Sequence, residues 1–246
     1  MTAIEVDRLS KNFGGLRAVD EVSLAVPAGE RRILIGPNGA GKTTLFHCIA
    51  GSVKPTAGRV RLFGEDITAL TENRRAARGM GRTFQISNLF SDLTTVENLA
   101  LAILGPDRRK WTMHRAVDAF PDVRARAMRS LATVELAHRA DDAVKFLSYG
   151  ERRQLELALA LSSQPKVLFL DEPCAGLSPS ERQRLSETIS TLPRDITLIM
   201  IEHDIDIALA LADRVTVLHR GKVILDATPA EVRINEQVRE VYFGRI

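Results

Sequence analysis

Gly36-Pro37-Asn38-Gly39-Ala40-Gly41-Lys42-Thr43-Thr44 stands between an apolar run at residues 31–35 and a helical pattern at residues 42–50 that Gly51 closes. The spacing is G-x-x-x-x-G-K-[ST]. Glycines at its ends and centre leave backbone N–H groups unobstructed, so that they can converge on phosphate oxygens. Lys42 is placed to meet the β and γ phosphates, and the Thr43 hydroxyl to ligate Mg²⁺. The N-terminus of the following helix adds the positive end of its dipole. The alternative is an ordinary glycine-rich turn, but a strand before and a helix after are the context that a phosphate loop requires. These residues therefore predict binding of a nucleoside triphosphate, most simply Mg-ATP.

Composition bounds what surrounds this loop. A chain of 246 residues suits one large α/β domain or one domain with an insertion, and 45% hydrophobic with 26% charged residues is the ordinary globular balance. Lysine and arginine number 34 against 31 carboxylates, a net charge of +3. Cations so evenly matched do not form the basic patch of a nucleic-acid-binding protein. Arg108-Arg109-Lys110 beside Trp111 reads as solvated loop. No leader is visible, and no apolar stretch approaches the ~18 residues of a membrane span, which predicts a chain neither exported nor embedded. Cys48 and Cys174 are too few for a disulfide framework and read as reduced, buried small hydrophobes of a cytoplasmic protein.

Outward from the loop, Ile4, Val6 and Leu9, then Val22, Leu24 and Val26, alternate as in an antiparallel β layer broken at Pro27-Ala28-Gly29. Residues 59–63 read as a strand, and residues 95–104 and 113–137 as helices. From Pro165 strands at 167–170, 197–201 and 215–218 alternate with helices after Ser180 and Asp204. Continuous apolar strands separated by helices imply a parallel sheet covered on both faces. The expected fold is α/β: a core with a mostly parallel sheet, an N-terminal antiparallel β layer and an inserted helical subdomain. In residue terms it is one domain over 1–246, with the core at 1–85 and 157–246 and the helical part at 86–156.

Three further segments carry chemistry. Val167-Leu168-Phe169-Leu170-Asp171-Glu172 delivers two carboxylates to the C-terminal sheet edge, where ligands of open α/β sheets sit. Asp171 would hold Mg²⁺ through water, and Glu172 would orient and deprotonate the water that attacks the γ phosphate. Asp-Glu after a strand is otherwise commonplace as a turn. Residues 197–204 repeat the design and bring His203 to the same edge as a candidate sensor of the γ phosphate, although a lone histidine there is usually structural. Leu147-Ser148-Tyr149-Gly150-Glu151 precedes a largely buried helix at residues 152–163 and reads equally as an anion site or a routine N-cap.

The ordered set of the loop, Arg82-Thr83-Phe84-Gln85, Leu147-Ser148-Tyr149-Gly150-Glu151, Leu170-Asp171-Glu172-Pro173 and Glu202-His203-Asp204 resembles the nucleotide-binding subunit of ATP-binding-cassette (ABC) transporters. The resemblance spans nearly the whole chain. It implies a P-loop NTPase core that hydrolyses ATP, with two subunits, alike or paralogous, enclosing two ATP molecules head to tail. Ser148 and Gly150 of one would then face the γ phosphate held by Lys42 of the other. It also implies that residues 36–44, including Ala40 and Thr44, cradle the phosphates, and that Phe13 stacks on adenine. Gln85 would touch Mg²⁺ and assist catalysis beside a surface coupled to transmembrane permease subunits. The subunit would lie peripherally on the cytoplasmic face of the inner membrane, with a periplasmic solute-binding protein as an indirect partner. Three positions depart from the commonest pattern: Tyr149 for a glycine, Glu151 for a glutamine, and Ser178 where many cassettes have an aspartate.

Within that family, Phe13 to Val19, the Arg-Thr-Phe-Gln stretch, Ala175-Gly176-Leu177-Ser178-Pro179 and the ending through Val241-Tyr242-Phe243-Gly244 look like subunits of branched-chain amino-acid importers. Related cassettes serve urea or other small solutes, and the lipopolysaccharide-export cassette is similar too. A small-molecule kinase would share the phosphate loop without needing residues 147–151. Soluble ABC ATPases of DNA repair or translation would bring coiled coils or paired cassettes.

Overall fold

The structure, a computed structural model, describes residues 1–83, 89–105 and 119–243. Gln85 and Phe84, the basic run at 108–110 with Trp111, and the first part of the helix expected at 113–137 lie outside them.

The chain divides into two compact units. Unit 1 comprises residues 1–80, 166–172 and 192–246, and unit 2 comprises 81–165 and 173–191. In unit 1, β1 (Thr2–Phe13) and β2 (Leu16–Pro27) form a hairpin, and β4 (Ala57–Leu62) and β5 (Glu65–Asp66) extend it into a four-stranded antiparallel sheet ordered β2-β1-β4-β5. The second sheet contains β3 (Arg31–Ile35), β6 (Met80–Arg82), β7 (Val167–Asp171), β8 (Thr197–Ile201), β9 (Arg214–His219) and β10 (Lys222–Ala227). Its order is β10-β9-β3-β8-β7-β6. Strands β9, β3, β8 and β7 pair in parallel, and β10 turns back antiparallel on β9. Every residue of β3, β7 and β8 is buried, which is why these strands read as unbroken apolar runs rather than alternating ones.

Helix α1 (Lys42–Ala50) joins the two sheets into one core. Its Leu45, Phe46 and Ile49 pack in the same cluster as Ile4 and Leu9 of β1 and Phe169 and Ile199 of β7 and β8. Phe46 meets Phe169 edge to face, with centroids 5.3 Å apart. The C-terminus of α1 has two caps. Gly51 adopts the left-handed conformation (φ 98°) and donates its N–H to His47 O at 2.9 Å. Arg75 of the short α2 (Glu72–Ala76), only 1% exposed, donates to Cys48 O at 3.0 Å and Ile49 O at 2.5 Å. It also donates to Leu70 O at 3.0 Å and Thr68 O at 3.1 Å. A guanidinium thus sits at the negative end of the helix whose positive end opens the phosphate loop. Burial pulls the Arg75 pKa down, and Cys48, Asp66 and Glu72 pull it back.

Unit 2 is helical. It contains α3 (Thr95–Leu104), α4 (Pro121–Thr133), α5 (Tyr149–Ser162) and α6 (Pro179–Ser190). Val96, Leu99 and Ile103 of α3, Val123, Ala127 and Leu131 of α4, and Leu155 and Ala158 of α5 form its interior. Helix α4 ends at Thr133 rather than 137, and Glu135 beyond it is left-handed (φ 59°). Helix α5 begins at Tyr149, three residues before the expected start, because Ser148 and Glu151 form a reciprocal capping box. Back in unit 1, α7 (Ile205–Leu211), α8 (Pro229–Ile234) and α9 (Glu236–Phe243) complete the chain. Cys48 and Cys174 are buried and form no disulfide with each other. No helix of the described residues is long and apolar enough to cross a membrane.

Candidate active site

The carboxyl ends of three adjacent parallel strands, β3, β8 and β7, bring the residues of unit 1 together. Strand β3 runs into the loop at Gly36, where φ is 148° and an added Cβ would lie 2.2 Å from Leu218 O. Gly41 is equally confined (φ 99°), with Ala18 O at 2.3 Å from such a Cβ, whereas Gly39 (φ 77°) faces open space. Only glycine fits the first two positions, and the third leaves room for a ligand to approach the backbone. The first i→i−4 bond of α1 runs from Leu45 N–H to Gly41 O at 2.9 Å. The amides of Lys42, Thr43 and Thr44 precede it and are the orphan donors of a helix N-terminus.

Lys42 is 4% exposed and its ammonium donates to Gly36 O at 2.6 Å and Pro37 O at 3.1 Å. Burial lowers its pKa, and the charge of Glu172 pulls the other way. Lys42 and Glu172 therefore belong to one electrostatic neighbourhood.

Glu172 is the residue immediately after β7, and its backbone is left-handed (φ 49°) although it carries a side chain. Such a conformation costs on the order of 1 kcal/mol. It is held by Glu172 N–H donating to Ile201 O at 3.1 Å, and it aims the carboxylate at His203, whose Nε2 lies 2.6 Å from Glu172 Oε1. Glu202, buried beside it, accepts from the His203 amide at 3.2 Å. Asp204 accepts from the Asp206 and Ile207 amides at 3.0 and 3.2 Å, and so caps α7.

Asp171 is 3% exposed, and His47 Nε2 stands 3.3 Å from its Oδ2. His47 was not among the residues singled out from the sequence. It lies four residues after Thr43 and hence on the same face of α1, so the spacing was a usable signal. The face bearing Thr43 is thereby turned toward Asp171. A hydroxyl and a carboxylate are hard oxygen donors of the kind that suit Mg²⁺, which takes few protein ligands when phosphates supply the others. Among the described residues no group of three or more His, Cys, Asp or Glu could hold a metal by itself.

Phe13, at the end of β1, is 49% exposed with Lys11 Nζ 4.8 Å from its ring centre, so it is a surface ring rather than a core one. Ser148 and Gly150 belong to unit 2. Ser148 Oγ accepts from Glu151 N–H at 3.2 Å, and Glu151 Oε2 accepts from Ser148 N–H at 2.7 Å. The N-cap reading of this segment therefore holds. Tyr149 shares its hydroxyl with Arg153 Nη2 at 2.8 Å and reaches toward Ala175 O at 3.4 Å. Ser178 caps α6, donating from Oγ to Glu181 Oε2 at 2.6 Å.

Comparison with known proteins shows the family. The model of the ABC transporter family matches residues 19–175, a span that includes the phosphate loop, Ser148 to Glu151, Asp171 and Glu172. The high-affinity branched-chain amino acid transport ATP-binding protein of Pseudomonas aeruginosa is 38% identical, over 98% of this chain and 97% of its own length. The lipopolysaccharide export system ATP-binding protein of Haemophilus influenzae is 33% identical, over 99% of this chain and 98% of its own. The solved ADP conformation of MJ1267, an ATP-binding cassette of an ABC transporter, superposes with a TM-score of 0.89 at 30% identity, covering 100% of both chains. With its strand-delivered carboxylates and glycine loop, the chain belongs to the ABC transporter family and is one of its ATPases.

Proposed function

We propose that this subunit hydrolyses Mg-ATP to drive import of a small solute, a branched-chain or other hydrophobic amino acid, through transmembrane permease subunits. The observation that carries the chemistry is Glu172 beside His203 at 2.6 Å, on the sheet edge that also bears Lys42 and Asp171. In this reading the loop amides and Lys42 hold the phosphates. Thr43, Asp171 and Gln85 hold Mg²⁺, which when bound neutralises charge on the phosphates. Glu172 takes the proton of the attacking water, and His203 orients Glu172 and contacts the γ phosphate. Gln85, outside the described residues, would also assist catalysis at the coupling surface, and Phe13 would pack on adenine.

Ser148 and Gly150 would complete the site of a second ATPase subunit, alike or paralogous, from the N-terminus of α5. The two-unit organisation suits this division of labour, with the helical unit carrying the donated segment. The amino-acid cargo is favoured by the greater identity to the Pseudomonas importer subunit, 38% against 33% for the lipopolysaccharide exporter. The solute itself would be selected by the permease and a periplasmic receptor, with this subunit on the cytoplasmic face of the membrane.

Three measurements test the proposal. ATPase rate in dilute solution is expected to rise with the square of protein concentration, as for a weakly dimerising cassette, and a linear dependence from a protein that is monomeric throughout counts against the shared site. Lys42→Ala is expected to weaken ATP binding about 10- to 100-fold, the loss of charge-assisted hydrogen bonds to phosphate, as read by calorimetric titration. In the assembled transporter, stimulation of the ATPase by receptor loaded with leucine but not with urea supports the cargo. The reverse pattern replaces it.

A further inference from the structure

The first residue of the phosphate loop is held by a side chain from the far end of the chain, 206 positions away: Gly36 N–H donates to the Tyr242 hydroxyl at 2.5 Å. Tyr242 lies on α9, which is fixed at its start by Asn235 Oδ1 accepting from Val238 N–H at 3.1 Å and by the buried Val238 side chain. Burial pushes the Tyr242 phenol up to about 12, with the Gly36 amide pulling it the other way, so the ring is neutral at any physiological pH.

We propose that Tyr242 is a positioning residue for the phosphate loop and that α9 is thereby part of the nucleotide site. The proposal rests on the reading that residues 36–44 hold the phosphates of ATP. Gly36 is where the backbone leaves β3, and Leu218 O blocks any side chain there. Its two peptide groups are tied from opposite sides: the amide to Tyr242 and the carbonyl to the Lys42 ammonium at 2.6 Å. When Lys42 turns to the phosphates, its bonds to Gly36 O and Pro37 O are given up. Tyr242 then keeps Gly36, the base of the loop, where the helix amides can reach the same phosphates, while the Gly221 amide donating to Ala40 O at 2.9 Å holds the loop further along. Tyr242 bonds the loop backbone rather than Glu172 or His203, so its loss is expected to fall on binding more than on the hydrolytic step.

Tyr242→Phe keeps the ring and removes only the acceptor. In the full-length protein it is expected to raise the Kd and KM for Mg-ATP about 3- to 10-fold, with kcat at saturating ATP unchanged within about twofold. Hydrogen exchange of the Gly36 amide is expected to accelerate by a similar factor, with the melting temperature lowered by no more than about 2–4 °C. Unchanged Kd and unchanged Gly36 exchange would overturn the proposal. So would a fall in kcat and melting temperature at constant KM, which marks α9 as merely structural. Lys42→Ala is measured alongside. If it binds ATP as well as the unaltered protein does, the phosphate-loop reading fails and with it the nucleotide role of Tyr242. Faster Gly36 exchange in Tyr242→Phe would then still report the contact itself.

Discussion

Glu172→Gln is expected to reduce ATP turnover about 10²- to 10⁴-fold, the usual contribution of a general base, while ATP binding survives. The substitution is isosteric and neutral. It keeps an oxygen within reach of His203 and removes the charge that makes the carboxylate a proton acceptor. Because the loop and Lys42 are untouched, ATP should accumulate in an undissociated dimer, visible as ATP-dependent doubling of mass in size-exclusion chromatography. Turnover retained within a few-fold would remove Glu172 as the base. The left-handed backbone at φ 49° sharpens the reading. A strained non-glycine residue persists where the surrounding structure enforces it, and here the enforced geometry points the carboxylate at His203.

Arg75→Met is expected to cost about 1–3 kcal/mol of stability, the penalty for leaving buried carbonyls unsatisfied, and to lower the melting temperature by roughly 5 °C. Methionine fills much of the volume but donates nothing, leaving the carbonyls of Cys48, Ile49, Leu70 and Thr68 without the guanidinium. Arg75→Lys should fall between, since one ammonium cannot span four acceptors around a planar fork. Thermal unfolding followed by circular dichroism measures both, and a loss below 1 kcal/mol for the methionine variant would show that water replaces the arginine freely. The charged side chain also completes the end of α1 opposite its phosphate-facing end, so a weakened α1 should depress ATP affinity as well.

Where the chain is punctuated by glycine or by an unbroken apolar run, its structure was legible. Strands β3 and β8 and helices α1 and α3 begin and end where the residue pattern places them. Strand β10 is hard to read because its short apolar stretch, Val223 to Leu225, is only half-buried and is flanked by the exposed Lys222 and Asp226, so no alternation marks Lys222–Ala227. Helix α5 was placed late because Gly150 looks like loop, while the Ser148–Glu151 box extends the helix through it. Arg75 sits in the string Glu72-Asn73-Arg74-Arg75, which reads as a solvated surface. Its burial follows from carbonyls up to 27 positions away that local pattern does not record. The same holds for His47 on Asp171 and Tyr242 on Gly36, contacts 124 and 206 positions apart. Residue types suggest the chemistry proposed for Lys42, Asp171, Glu172 and His203, whereas only tertiary packing shows what supports these side chains.

The strand order has a consequence for how the protein is made. Both neighbours of β3 come from its final fifty residues, β8 beginning at Thr197 and β9 at Arg214. During vectorial synthesis the strand that launches the phosphate loop emerges early and waits, unpaired, for most of the chain to follow. Pairing across such separations is slow, and an unpaired apolar strand is a template for association with other chains. A nascent chain stalled before Thr197 therefore carries the whole glycine loop with no parallel partner for β3, and it is expected to bind chaperones rather than ATP.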